Sequence, residues 1–286
     1  VSIAYLNDGF YPLDACAISP MDRGFLFGDG IYEVIPCYDG ELIAFAYHYE
    51  RLRQGLNALS IPCPLSSGEL RDLLTELISH NGGGHQSLYL QITRGSNAVR
   101  KHVPVGPSTP TIFATASPLP AFNDGDPTTT QPQRVMTARD LRWARKHIKS
   151  IALLGSVMHL QEAYAAGANE ALLFNEQDQL TEAATSNVFI VHNGIIKTPA
   201  LDHEKLAGVT RRMLVELLAR DGRYPIEETV VTRTDVLTAS EVWLTSSTKE
   251  VVPVVAIDGE PVNDGNVGPL WSYAQALFAR HRLHFQ

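Results

Sequence analysis

The segment HIKSIALLGSV, residues 147–157, sets Lys149 directly before the apolar run 151–154 and a helix-like pattern. Two chemistries fit that position. Lysine is most often a solvated surface charge, because burying an unpaired ammonium is costly. An amine desolvated by apolar neighbours has a lowered pKa instead and stays partly neutral, the form that attacks a carbonyl to give a Schiff base. Position alone leaves both open, and the second requires an anion-binding cradle elsewhere in the chain.

Several stretches could supply that cradle. In LAGVTRR, residues 206–212, Gly208 precedes Thr210 as an expected N-cap. The backbone N–H groups of a helix N-terminus favour phosphate, although an ordinary cap has the same sequence. Ser246, Ser247 and Thr248 end the strand-like run EVWLT with hydroxyls that reach an anion or simply leave a strand. Arg51, in HYERL, offers a permanent charge suited to bidentate phosphate binding, or an exposed helix position. Glu182, in QLTEAATSNVFIV, is a turn carboxylate or a partner for a cofactor ring nitrogen. Arg100 and His102, in the loop after ITRG, form an exposed basic pair or a dock for a substrate carboxylate.

The elements that must position these residues mix strands and helices, an α/β (α+β) class. Strand-like runs GIYEVIPCY, ELIAFA, SLYLQITRG and PTIFATA alternate with helical patterns near 47–59 and 67–80. The aperiodic SPLPAFNDGDPTTTQPQ reads as a linker. The expected organisation is a smaller domain over 1–118, a linker over 119–131 and a larger domain over 132–286. In that second domain Leu153, Val157, Leu160 and Tyr164 recur at helical spacing up to a stop at Gly167. Asn193-Gly194 marks a hairpin, a helix over about 211–220 stops at Gly222, and a last helix covers about 267–282. No strict βαβ period or internal repeat is visible, which argues against a dinucleotide-binding fold.

Composition narrows the function classes. The 286 residues are 44% hydrophobic and 19% charged, with net charge −8 from 23 basic and 31 acidic residues. Scattered basic residues exclude a broad nucleic-acid footprint. Three cysteines without C-x-x-C spacing indicate neither a disulfide framework nor a zinc site. No stretch approaches the roughly 20 apolar residues that span a bilayer, and the first residues lack a signal-peptide pattern, so a cytoplasmic protein is expected.

Taken together, MDRGFLFGDGIYEVI, HYERL, ITRG, IKSIALLGSV, TEAATSNVFIV, GVTRR and LTSSTKEVVPV resemble the fold-type IV pyridoxal phosphate enzymes, the class IV aminotransferases, in matching order. Within that family the resemblance is greatest to the D-amino-acid transaminases. It implies a two-domain architecture and pyridoxal 5′-phosphate as cofactor, with Lys149 as the Schiff-base lysine and proton carrier. It selects Lys149 over its neighbour Lys146. Glu182 would meet the pyridinium nitrogen, Leu206 the ring face, and Arg51, Gly208, Val209, Thr210, Ser246 and Ser247 the phosphate region. Tyr32, Arg100 and His102 would bind the substrate carboxylate, the last two from the neighbouring subunit of a homodimer.

Three departures stand out: Ala183-Ala184-Thr185 where Gly-Ser-Ser is common, Ser247 where Thr is common, and a loop over 94–100 one residue longer. The expected reaction moves the amino group of a D-amino acid such as D-alanine to 2-oxoglutarate by a ping-pong route. The rivals on this fold are an (R)-amine transaminase, a branched-chain L-aminotransferase and 4-amino-4-deoxychorismate lyase. A non-catalytic phosphate-binding or pyridoxal-phosphate-binding protein is the rival outside enzymes.

Overall fold

A computed structural model describes residues 2–120 and 123–285, and its contacts divide into two compact units. The first comprises Val1–Ala121, Ile148–Leu153 and Leu283–Gln286. Its elements in chain order are β1 (Ile3–Leu6), β2 (Gly9–Pro12), α1 (Arg23–Phe27), β3 (Gly30–Tyr38), β4 (Glu41–Leu42), α2 (Phe45–Ala58), α3 (Ser67–His80), β5 (Gln86–Thr93) and β6 (Thr111–Pro118).

The six strands form one sheet in the order β2-β1-β6-β5-β3-β4, and every paired neighbour is antiparallel. Along β3 side chains alternate between faces. Ile31, Ile35 and Cys37 enter a core with Phe45, Leu52 and Leu56 of α2 and Leu70, Leu74 and Leu77 of α3. The capping box expected of a well-defined helix start is present in α3, where Ser66 Oγ accepts the Glu69 N–H and Glu69 accepts the Ser66 N–H. ELIAFA, read as a strand, pairs only over Glu41–Leu42. Ala44 then turns left-handed (φ 49°) and α2 begins at Phe45, because the apolar residues ahead continue at helical rather than alternating spacing.

The second unit comprises Phe122–His147 and Leu154–Arg282. It contains β7 (Gln133–Arg139), α4 (Leu154–Ala165), β8 (Glu170–Phe174), β9 (Leu180–Ala183), β10 (Asn187–His192), β11 (Ile195–Pro199), α5 (Val209–Asp221), β12 (Ile226–Thr229), α6 (Arg233–Leu237), β13 (Glu241–Ser246), β14 (Glu250–Ile257), β15 (Glu260–Pro261) and α7 (Pro269–His281). Its nine-stranded sheet runs β12-β11-β10-β13-β14-β7-β8-β9, with β15 on β14. Pairs β11·β12, β14·β7 and β7·β8 are parallel, so the sheet is mixed. The β10–β11 hairpin turns at Asn193 (φ 52°) and Gly194 (φ 75°), the two positive values a type I′ turn requires.

Buried Glu241 caps α7 from a distance. Its carboxylate accepts the Leu270 and Trp271 N–H groups and the Trp243 Nε1–H, so these orphan donors at the helix start are satisfied inside the core.

One segment departs from the expected domain division. Residues 148–153, anticipated in the second domain, join the first unit. Ile148 lies in its core, the Tyr32 N–H donates to Lys149 O (3.1 Å), and the Ile151 N–H donates to Gly30 O (3.0 Å). The segment runs antiparallel beside β3, and backbone bonding decides its allegiance. No helix among the described residues is long and apolar enough to cross a membrane.

Candidate active site

Within the first unit, that antiparallel segment sets the half-buried Lys149 with its Nζ over the Tyr32 ring, 4.1 Å from the centroid. The Tyr32 ring stacks in turn on Tyr89. The apolar run does not desolvate the amine as expected: Ala152, Leu153 and Leu154 are exposed and Ile151 is half-buried. Strand-like alternation turns Ile148 into the core and the lysine toward Tyr32, so an aromatic face rather than the aliphatic run lies against the amine. Lys146 is a different case. Its side chain is buried in an ion pair with Asp140 (2.9 Å).

Behind Tyr32, the next side chain of β3 points the other way. Glu33 is fully buried and takes Arg51 Nε at 2.8 Å, Arg51 Nη2 at 2.6 Å and His48 Nδ1 at 2.7 Å. Burial alone would raise the Glu33 carboxyl, but the Arg51 guanidinium and the hydrogen bonds from Arg51 and His48 outweigh it and hold it at about 2. Burial also pushes His48 below its ordinary value, with the Glu33 bond opposing. A neutral His48 beside an ionised carboxylate must donate its Nδ1–H. Glu33 thereby fixes the plane of Arg51. Sequence reading named Arg51 and missed its two partners, although a glutamate at the core parity of β3, facing His48 and Arg51 at i, i+3 spacing, is a legible signal.

Arg100 and His102 sit in the exposed loop after β5. The Arg100 guanidinium lies 4.9 Å from the Phe27 ring centroid, and the His102 ring lies 5.5 Å from it. Among the described residues no bond or ring contact joins either one to Lys149 or Tyr32.

The second unit gathers another group around Asn187, a residue that sequence reading did not single out. Glu182, buried on β9, accepts Arg142 Nη1 at 2.8 Å on Oε1, and the Leu206 N–H at 2.9 Å with Asn187 Nδ2 at 3.3 Å on Oε2. Asn187 Nδ2 also donates to Leu206 O (2.9 Å). Burial raises the Glu182 carboxyl, opposed by Arg142 and the Leu206 N–H. Arg142 is held on its other side by Asp140, which also takes Lys146 and the Thr181 hydroxyl. Burial pushes the Asp140 carboxyl up, but these partners depress it well below the carboxylate range. Three donors on Glu182 leave about one of its roughly four acceptor positions open.

Gly208 is the N-cap of α5, in extended conformation and without a side-chain cap. Thr210 was the expected cap but lies buried inside the helix. The turn closed by the Gly208 N–H on Leu206 O starts the helix two residues earlier. The first intrahelical donor is Arg212 N–H to Gly208 O, so the N–H groups of Val209, Thr210 and Arg211 point out of the helix end. Asn187 pairs in register with Thr245, beside half-buried Ser246 and Ser247, and Thr245 Oγ1 is buried without a partner among the described residues. Helix-end amides and hydroxyls as donors, with a buried carboxylate as acceptor, suit a phosphorylated heteroaromatic ring.

The packing here leaves no slack. A Cβ on Gly208 would stand 1.9 Å from Asn187 Oδ1. Gly208→Ala is expected to destabilise the fold by about 1–3 kcal/mol through forced movement of Asn187, and to weaken phosphate-cofactor binding. Urea unfolding and cofactor titration check both, and a variant with wild-type values in each shows that the close approach is not needed.

A family model described as amino-transferase class IV matches residues 30–257. The chain belongs to this family. Among curated members, the D-alanine aminotransferase of Listeria monocytogenes serotype 4b (strain F2365) is 36% identical over 279 residues, covering 96% of this chain and 93% of the relative. The D-alanine aminotransferase of Bacillus licheniformis is 38% identical over 262 residues, covering 91% and 90%. Solved class IV folds superpose over the whole chain. The Escherichia coli branched-chain amino acid aminotransferase gives a TM-score of 0.90 at 21% identity, covering 100% of this chain and 96% of that one. The Thermobaculum terrenum branched-chain enzyme, solved in PLP-form, gives 0.88 at 20%, covering 100% and 95%. At that identity the likeness establishes the two-domain α/β aminotransferase fold.

Proposed function

We propose that this aminotransferase moves the amino group of a D-amino acid, D-alanine among them, to 2-oxoglutarate in a ping-pong reaction with pyridoxal 5′-phosphate. The observation that carries the D-specific reading is the Arg100 and His102 pair held together on the Phe27 ring, where both side chains can receive an α-carboxylate. The D-alanine aminotransferase relatives support it over nearly the full chain.

Bound pyridoxal 5′-phosphate supplies an aldehyde that accepts the amino group and a ring that takes up the electrons left when the substrate Cα loses its proton. Lys149 Nζ takes that proton from Cα, and its seat on Tyr32 keeps the amine partly out of water. Glu182 accepts a hydrogen bond from a protonated ring nitrogen, with Arg142 fixing the orientation of its other oxygen. The Val209 and Thr210 amides, the Thr210, Ser246 and Ser247 hydroxyls and Arg51 hold the phosphate, Gly208 lets the helix end come close, and Leu206 packs on the ring. Tyr32, Arg100 and His102 bind the substrate carboxylate.

Arg100 and His102 act from the second copy of a homodimer in this reading. Supporting it, the apolar stripe after Lys149 faces solvent in the single chain: Leu154 is 72% exposed and Tyr164 63%, while α4 buries only His159 and Ala163. Phe25 at 77% adds to the uncovered apolar area. Three free thiols agree with a cytoplasmic setting.

The test is a half-reaction screen that follows the cofactor absorption band. D-alanine is expected to discharge it, while L-leucine and (R)-amines lacking a carboxylate are not. Discharge by L-leucine alone points to the branched-chain reading, and pyruvate release from aminodeoxychorismate without an acceptor points to the lyase. In the same assay Arg100→Ala is expected to raise KM for D-alanine by about 10- to 150-fold, the worth of one charge-assisted contact of roughly 1.5–3 kcal/mol. An unchanged KM removes Arg100 from carboxylate binding.

A further inference from the structure

The loop that carries Arg100 and His102 has no regular structure between β5 and β6 apart from one isolated bridge, Asp22 to Ser96. Its residues 98–107 are exposed. A solvated loop of this length samples many conformations, and ordering it on substrate arrival costs conformational entropy. The two substrate-facing side chains nevertheless share one aromatic platform.

Arg23, buried in α1, explains how. Its Nη1 donates to Lys101 O (2.7 Å) and its Nη2 to His102 O (2.7 Å), while its own N–H donates to Gly95 O (2.9 Å). The guanidinium thus holds the backbone carbonyls on both sides of His102, and the backbone of Arg23 holds the start of the loop. Its Nε is fixed by Asp29 Oδ2 (2.7 Å). Asp29 also takes Arg94 through Nε (2.8 Å) and Nη2 (3.0 Å), and Arg94 reaches Ser60 O and Leu59 O. Phe27, one helical turn beyond Arg23, receives the Arg23 guanidinium at 4.7 Å, the Arg100 guanidinium at 4.9 Å and the His102 ring at 5.5 Å from its centroid. The polar anchor takes the backbone and the ring takes the side chains, so both degrees of freedom of the pair are restrained before substrate binds.

We propose that Arg23 and Phe27 are positioning residues for substrate recognition, pre-setting Arg100 and His102 for the substrate carboxylate through the 101 and 102 carbonyls and the Phe27 ring. The inference rests on the carboxylate-binding role proposed for Arg100 and His102. Pre-organisation of this kind lowers KM without taking part in the proton transfer at Cα.

The test compares Arg23→Lys, Phe27→Leu, Arg100→Ala and the Arg23→Lys/Arg100→Ala double variant in the full-length holoenzyme. It reads kcat and KM for D-alanine, and substrate-free hydrogen exchange of peptides covering 96–107 and 30–38. A lysine keeps the charge but cannot span two carbonyls and Asp29 together. Arg23→Lys is expected to raise KM about tenfold with kcat within about twofold, and to speed exchange in 96–107 while sparing 30–38. Phe27→Leu keeps the carbonyl bonds, so KM rises without that change in exchange. The double variant is expected to lose less in kcat/KM than the sum of the single losses, because Arg23 acts through Arg100 as well as through His102.

Wild-type KM and exchange in Arg23→Lys overturn the proposal, as do fully additive losses in the double variant. If Arg23→Lys does not fold, Phe27→Leu decides alone, and a wild-type KM there overturns it. The outcome in which Arg100→Ala keeps its KM for D-alanine is separate: it refutes the carboxylate reading, and this inference with it, even when exchange shows that Arg23 holds the loop.

Discussion

Lys149→Ala is expected to lower kcat for transamination by at least about 10²–10⁴-fold, the span that positioned proton transfer commonly contributes, and to lose the covalent attachment of the cofactor. The expectation follows from the seat of the amine. Lys149 is half-buried against Tyr32, whereas the nearest competing lysine, Lys146, is locked to Asp140 in a buried ion pair. Borohydride should bleach the yellow colour and leave the cofactor permanently attached in wild-type protein and in a Lys146→Ala variant, but not in Lys149→Ala. Peptide mapping of the reduced adduct gives a readout independent of turnover. An adduct mapped to Lys146, or normal transamination by Lys149→Ala, refutes the assignment of the nucleophile.

Glu33→Gln is expected to destabilise the protein at pH 7 by about 3–5 kcal/mol, the usual cost of leaving one member of a buried ion pair without its partner. The glutamine keeps the shape but removes the charge that neutralises Arg51 within the core. The pH dependence follows from linkage. The Glu33 carboxyl drops from 4.5 to about 2 on folding, so its stabilisation is fully present above 4.5 and is lost as pH falls toward 2. That shift corresponds to about 3 kcal/mol. His48, held below 6.5 mainly by burial, works in the same direction from a higher pH: the unfolded chain takes up a proton that the folded chain refuses. Urea unfolding from pH 7 down to pH 3 should show the wild type losing stability along this slope, with a shallower acid limb in Glu33→Gln. Equal midpoints for the two proteins at pH 7 would show that the buried pair contributes nothing net. With cofactor present, the variant should also bind phosphate more weakly, since Glu33 holds the plane of Arg51.

The buried network in the second unit belongs to a different class. Arg142 alone reaches Glu182 Oε1, while Asp140 holds Arg142 and takes Lys146 and the Thr181 hydroxyl. This network orients one oxygen of Glu182, while the Leu206 N–H and Asn187 Nδ2 orient the other, and it keeps an arginine beside a carboxyl raised by burial. The Ala183-Ala184-Thr185 departure is absorbed locally. Both alanines are buried, and Thr185 donates its N–H and hydroxyl to Glu170.

Much of this was legible from residue order alone. Period-two alternation identified β3, β5 and β6, helical spacing identified α2, α3, α5 and α7, and the Asn193-Gly194 pair identified its hairpin, because each signal is local and acts through side-chain period or backbone conformation. The run of family motifs also singled out Lys149, Glu182, Arg51 and the Arg100 and His102 pair for the roles proposed above, since that chemistry requires those residue types whatever surrounds them.

Other features depend on contacts between residues far apart in the chain, and no local pattern encodes them. Allegiance of residues 148–153 to the first unit comes from backbone bonds to Gly30 and Tyr32, more than a hundred residues earlier. The lysine is shielded by an aromatic ring rather than by the aliphatic run that follows it, because burial is decided by what packs on a side chain and not by its neighbours in sequence. Arg23, Glu33 and Asn187 lie inside motif runs and Arg142 outside them, but the importance of all four lies in which carboxylate or carbonyl folding sets within hydrogen-bond range. Residue order thus determined the chemistry available to this chain, while tertiary structure decided which groups hold it in place, because hydrogen bonds and burial act through space.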